Sequence, residues 1–180
     1  MTVEKHGAPG LTKVTTYSGL QFDVREAGSE DRPLLVEFWR HVSRETVATR
    51  SIGTADPAVI DPMALGNSGE INRTTTLLAL GGDGAVVAIA MLVPSPDPGE
   101  ARAMVFTRDG ITSHGISWAL LDQILLKARG SGMSAVTSVF SAEDVRAIRL
   151  ERQMGFVESG YPGNDKMRSL RWTFANSTST

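Results

Sequence analysis

Polar and apolar residues alternate from Gln21 to Glu26, Phe22 and Val24 standing against Asp23 and Arg25, and this period of two predicts a first strand. The period then changes. Ser29-Glu-Asp-Arg-Pro supplies a helix start, and Leu34, Leu35, Phe38, Trp39 and Val42 recur at helical spacing, so Asp31 to Ser43 reads as an amphipathic helix. From Arg44 to Arg73 the pattern breaks up around Gly53, Asp56-Pro57, Asp61-Pro62 and Gly66-Asn-Ser-Gly69, with two short apolar patches that fit helical turns. Thr74 to Leu80 and Ala85 to Val93 are β-rich runs joined by Gly81-Gly-Asp-Gly84, a hairpin signal. A turn at Pro94-Ser-Pro-Asp-Pro-Gly99 leads to a third run, Ala101 to Thr107, which completes an antiparallel meander. Ile116, Leu120, Leu121, Ile124, Leu125 and Ala128 then mark one face of a helix closed by Gly130 and Gly132. Ala135 to Phe140 predicts a strand, and Ser141 to Met154 a second helix, with Asp144 three residues after Ser141 in a near capping box. Phe156 and Met167 to Phe174 supply the last strands. This order predicts a mixed α/β (α+β) layer rather than a Rossmann alternation.

The 180 residues fit one domain, expected at 15–174 between a loose N-terminal segment at 1–14 and a loose tail at 175–180. A net charge of −2 gives no electrostatic reason to expect nucleic acid or an anionic membrane as partner. The chain has no cysteine, which removes disulfides, thiolate nucleophiles and cysteine metal sites together. His6, His41 and His114 show no metal-ligand spacing, so no metal is expected. Met1 to Gly10 lacks the apolar stretch of a signal peptide, and the longest apolar run, Ala85 to Val93, is too short to span a bilayer. A cytoplasmic protein is the resulting expectation. Trp39, Trp118 and Trp172 read as core residues.

Chemistry enters at the junction from Thr107 to Leu121, where a strand ends, a loop of small residues follows, and a helix opens at about Ser113. A helix start offers unpaired backbone N–H groups and the positive end of the helix dipole, and a phosphate sits there if side chains leave the backbone open. Gly115 and Ser117 are small enough for that. The alternative is an ordinary strand–loop–helix turn whose glycine only eases packing.

Thr112-Ser-His-Gly115-Ile-Ser117, followed by Ala119-Leu-Leu121, resembles the coenzyme A signature Q/R-x-x-G-x-G/A of the GNAT acyltransferase superfamily, with Gly115 kept and Thr112 in place of Gln or Arg. Glu143-Asp-Val-Arg-Ala-Ile-Arg-Leu-Glu-Arg-Gln-Met-Gly-Phe156 is similar to that family's E-N-x-x-A-x-x-L-Y-x-x-x-G-F segment at Glu143, Ala147, Leu150, Gly155 and Phe156. Phe38 to Arg50 resembles the F-F-x-x-L-S-P-E-S-x-x-x-R-F segment of Pat-like bacterial protein-lysine acetyltransferases.

The resemblance implies a GNAT fold, a mostly antiparallel sheet of six to seven strands flanked by about four helices and splayed between its fourth and fifth strands. It implies an N-acyltransferase that takes acetyl-CoA as acyl donor and a protein lysine or small amine as acceptor, with a homodimer as candidate assembly. The pantetheine arm would lie along Val105, Phe106 and Thr107, where a strand N–H would serve as oxyanion donor. The pyrophosphate would lie over Thr112, Ser113, His114, Gly115, Ile116 and Ser117, and Asp144 stands where the family has a cofactor-side Asn. Counting back thirteen residues from Gly115, to the position of the Pat-like base, gives Arg102. Glu100, two residues earlier on the same strand face, is the nearest carboxylate and the candidate base, with a plain turn residue as its alternative. Glu151 replaces the family's Tyr that protonates the leaving thiolate. A carboxylate donates a proton only when burial or a like charge raises its pKa; beside Arg152, Glu151 reads as a surface residue. Two alternatives stay open: a coenzyme A-binding sensor with little or no catalysis, and an interaction protein that keeps only the fold.

Overall fold

The computed structural model describes residues 2–4, 10–16, 18–50, 74–111 and 115–175. Its strands are β1 (Thr2–Glu4), β2 (Thr12–Thr15), β3 (Gln21–Glu26), β4 (Thr75–Leu80), β5 (Val86–Pro94), β6 (Glu100–Thr107), β7 (Ala135–Ser141), β8 (Val157–Tyr161) and β9 (Asn164–Thr173). The helices among the described residues are α1 (Arg32–Trp39), α2 (Arg44–Arg50), α3 (Ile116–Gly130) and α4 (Val145–Met154). One nine-stranded sheet runs β1-β2-β3-β4-β5-β6-β7-β9-β8, antiparallel everywhere except between β6 and β7. It exceeds the expected six to seven strands because the segment read as loose supplies β1 and β2 at the sheet edge, Val14 of β2 facing Phe22 of β3.

Helices cover both faces, which is why β5 is apolar along nearly its whole length instead of alternating with polar residues. On one face α3 lays Ile116, Leu120 and Ile124 across Ala88, Ala90 and Ala103, and these alanines let a bulky helix sit close to the strands. On the other, Leu35 and Phe38 of α1 pack on Leu78, Ile89, Met91 and Phe106. The corner between β3 and α1 is fixed by Asp31. Its two carboxylate oxygens accept from Arg25 at 2.5 and 2.6 Å, and one also accepts the Gly28 N–H at 2.8 Å. A 3-10 turn (Ser29–Asp31) and Pro33 in the first turn then launch α1.

The helix expected over Asp31–Ser43 is shorter, ending at Trp39, and α2 starts at Arg44 after a turn that Ser43 caps through the Thr46 N–H. The helix expected from Ser141 begins at Val145, because Asp144 is its cap and β7 runs on to Ser141.

Candidate active site

β6 is held very differently on its two sides. Toward β5 it is paired from Ala101↔Pro94 to Thr107↔Ala88. Toward β7 the parallel ladder holds only Glu100↔Ala135, Ala101↔Val136 and Arg102↔Thr137. Beyond Arg102 the two strands part, although β6 continues to Thr107 and β7 to Ser141. β7 is held on its far side by β9 along its full length. Each strand is thus anchored by its outer neighbour, and a V-shaped gap opens between them toward the end of β6, the splay expected from the sequence resemblance.

The chain leaves β6 at the open end of the V and reaches α3 in one loop. The Arg108 N–H donates to Val87 at 3.0 Å and the Asp109 N–H to His41 at 2.8 Å, so the loop is tied to β5 and to the end of α1. Gly115 caps α3 with φ +86° and no side-chain cap, and the first helical donor is the Ala119 N–H, to Gly115 O at 3.0 Å. The N–H groups of Ile116, Ser117 and Trp118 therefore lie in the turn that helix geometry leaves without intrahelical acceptors. Only glycine holds that φ without strain, and a Cβ there would stand 3.2 Å from Cβ of Thr16. Thr16 comes from the turn between β2 and β3, a support for this loop that the sequence reading missed.

The predicted site residues fall into several groups. Val105, Phe106 and Thr107 lie on β6 along the open part of the V. Phe106 contributes only backbone, since its ring is fully buried 5.1 Å from that of Trp39. Gly115, Ile116 and Ser117 form the α3 start, which lies at Ile116 and not at about Ser113 as the sequence suggested, with the Ile116 side chain turned into the core. Thr112, Ser113 and His114 lie outside the described residues. Asp144 accepts the Ala147 N–H at 3.2 Å as the cap of α4.

The two carboxylates differ from expectation in opposite ways. Glu100, the candidate base, opens β6 but gives both oxygens to Arg171 of β9 at 2.6 Å each. That hydrogen-bonded pairing holds its carboxyl below the usual glutamate range, which makes it a weaker base. Glu151, read as a surface residue, is buried at 3% exposure. It lies three residues after buried Ile148, so both share the inward face of α4, while the exposed Arg152 beside it points the other way.

Arg102 is the residue that the apolar pattern did not explain. It is 9% exposed, and Nε and Nη2 have no hydrogen-bond partner. Burial pushes its pKa down, opposed by attraction to Tyr161. The signal was present in the sequence as a lone cation between Ala101 and Ala103 in a central strand. His41 is exposed on the α1 flank with its Nδ1 3.0 Å from Glu37 O, and no cluster of metal-ligating side chains occurs among the described residues.

No protein-family model matches the chain, and no curated protein matches it in sequence. Solved structures do. The GNAT domain of S. lividans PAT superposes with a TM-score of 0.78 over 94% of this chain and 100% of that one, at 20% identity. A GNAT-type N-acetyltransferase from Kribbella flavida gives 0.64 over 85% and 98%, at 23% identity. The PaiA N-acetyltransferase from Thermoplasma acidophilum, solved with coenzyme A, gives 0.61 over 85% and 99%, at 14% identity. At these identities the likeness speaks to the backbone: the chain has the GNAT fold.

Proposed function

We propose that the protein is an acyl-CoA-dependent N-acyltransferase. The observation that carries the reading is the gap between β6 and β7 beside the glycine-capped start of α3. An extended pantetheine arm fits between diverging strands, and the pyrophosphate fits the helix N-terminus. The solved relative bound to coenzyme A supports the ligand class.

In the reaction the acceptor nitrogen forms a bond to the acyl carbon, the C–S bond breaks, and the thiolate leaves and takes a proton. The ammonium proton must first go elsewhere. Glu100 is occupied by Arg171, so solvent is the acceptor of that proton in this reading. Glu151, buried in the inward face of α4, is the candidate donor to the thiolate. The acceptor is a small amine or a protein lysine, the protein acts in the cytoplasm, and a homodimer is its candidate assembly. No helix among the described residues is long and apolar enough to cross a membrane.

Titration calorimetry with acetyl-CoA and turnover against an amine panel test the proposal together. Binding with turnover supports it, and absence of binding removes it. Binding without turnover favours the second reading, a coenzyme A sensor, for which the specific observation is a cation, Arg102, at the counted position of the Pat-like base. If the enzyme is active, Glu151→Gln should slow turnover about a hundredfold at unchanged acetyl-CoA affinity. Equal rates would remove Glu151 from the mechanism.

A further inference from the structure

Arg102 stands at the fork of the V: it is the last residue of β6 paired with β7, opposite Thr137. Strand alternation puts its side chain on the face of Met104 and Phe106, the face that α1 covers at Phe106. There it is nine-tenths buried, and its Nε and Nη2 hydrogens meet no acceptor. Those two nitrogens share one edge of the guanidinium, the edge that receives both oxygens of a carboxylate side-on. The carboxylate nearest along the strand, Glu100, is already held through both oxygens by Arg171. Among the described residues no carboxylate pairs with Arg102.

A buried, unpaired cation destabilises a fold, because it has lost water and gained no partner. The cost is accounted for if a ligand brings the anion. A cation at this place also disfavours an incoming ammonium that carries no negative charge of its own, and favours a reactant that does.

We infer that Arg102 is a carboxylate-recognition residue at the apex of the acyl-transfer groove. The inference rests on the acyltransferase reading above. The carboxylate belongs either to the acyl chain, as in a dicarboxylic acyl-CoA, or to the acceptor, as in a free amino acid. Both sources present the same planar, two-oxygen anion to the same guanidinium edge.

The experiment has one arm for each source. Calorimetry compares coenzyme A, acetyl-CoA and succinyl-CoA on the wild-type protein and on Arg102→Met. Acetyl transfer compares free amino acids with their carboxamides on the same two proteins. If the acyl chain is the source, wild type binds succinyl-CoA about 10- to 100-fold tighter than acetyl-CoA, the range for a charge-assisted pair. If the acceptor is the source, kcat/KM for free amino acids exceeds that for amides by a similar factor. In either case Arg102→Met removes the preference and leaves coenzyme A affinity unchanged. Arg102→Met should also melt no lower than wild type, since it exchanges a buried guanidinium whose Nε and Nη2 are unbonded for an apolar chain of similar length. Should the variant fold poorly, the two wild-type comparisons still decide. Absence of preference in both arms, or a preference that survives Arg102→Met, overturns the inference while acetyl-CoA binding keeps the acyltransferase reading alive. Failure to bind coenzyme A or either thioester overturns both.

Discussion

The two sides of β6 set a closed sheet against an open one. Toward β5 the strand spends its backbone on a full antiparallel ladder, and apart from Arg102 its buried side chains on that stretch, such as Ala101 and Ala103 toward α3 and Phe106 toward α1, are small or apolar and well packed. Toward β7 the ladder stops after three pairs, and the side chain at the stopping point is a buried arginine with two unbonded nitrogens. The closed side follows the rules of a stable core. The open side breaks two of them, continuous pairing and satisfied buried polar groups. Breaches of that kind gather where a protein does something other than fold. The strand is one element with a scaffold edge and a site edge, and substitutions should separate the two.

The largest effect is expected where the scaffold packs under α1. Phe106→Ala removes a fully buried ring that stacks edge-on with Trp39, and should lower stability by about 4 kcal/mol, the cost of a phenylalanine-sized cavity. Denaturant titration reads this directly. A loss below about 1 kcal/mol would mean that the face under α1 is not packed as described.

On the open side the quantity that should move is ligand affinity. Gly115→Glu puts bulk and negative charge against the phosphates, and should weaken acetyl-CoA binding at least about a hundredfold. Any side chain is strained at φ +86° and presses on Thr16, so Gly115→Ala is the control for strain alone. Equal affinity losses in the two variants would move the phosphates away from this helix start.

The same division governs how much could be read from the sequence. β3 and α3 were legible because their buried faces repeat at one period, as Ile116, Leu120 and Ile124 do, and β5 and β6 because their apolar runs are bounded by turn signals. β1 and β2 were not, since three- and four-residue strands beside glycines carry too little pattern to distinguish them from a loose end. The V left no mark in the hydrophobic period and was expected only through the motif resemblance from Thr112 to Ser117. The burial of Glu151 was hidden by its neighbours, because Arg149, Arg152 and Gln153 give α4 so polar a composition that its inward face is narrow. The pairing of Glu100 joins residues 71 apart, a distance over which a single sequence carries no signal.

The smallest effect belongs to that last pair, and it separates the scaffold edge from the chemistry most sharply. Glu100 sits at the closed end of the V, and its fork with Arg171 ties β6 to β9 across the start of β7. The two side chains remain 21% and 43% exposed, so solvent screens the pair and its worth is about 0.5–1 kcal/mol. Because the folded protein holds the Glu100 carboxyl below its ordinary value, that stabilisation is complete above the unfolded pKa of about 4.3 and is lost as pH falls through the lower, folded value. Wild type should therefore melt slightly above Glu100→Gln at pH 7, and the gap should close as the medium is acidified below about pH 4. Turnover should tell the same story. A positioned base contributes at least about a hundredfold at pH 7, whereas a carboxylate locked in an ion pair contributes nothing to proton removal. Glu100→Gln should then keep its rate within a factor of about three at pH 7 and follow the wild-type rise with pH as free amine accumulates. A hundredfold loss at pH 7 that vanishes near pH 10 would instead require Arg171 to release Glu100 when the acceptor binds, and the apparent scaffold edge would be part of the site.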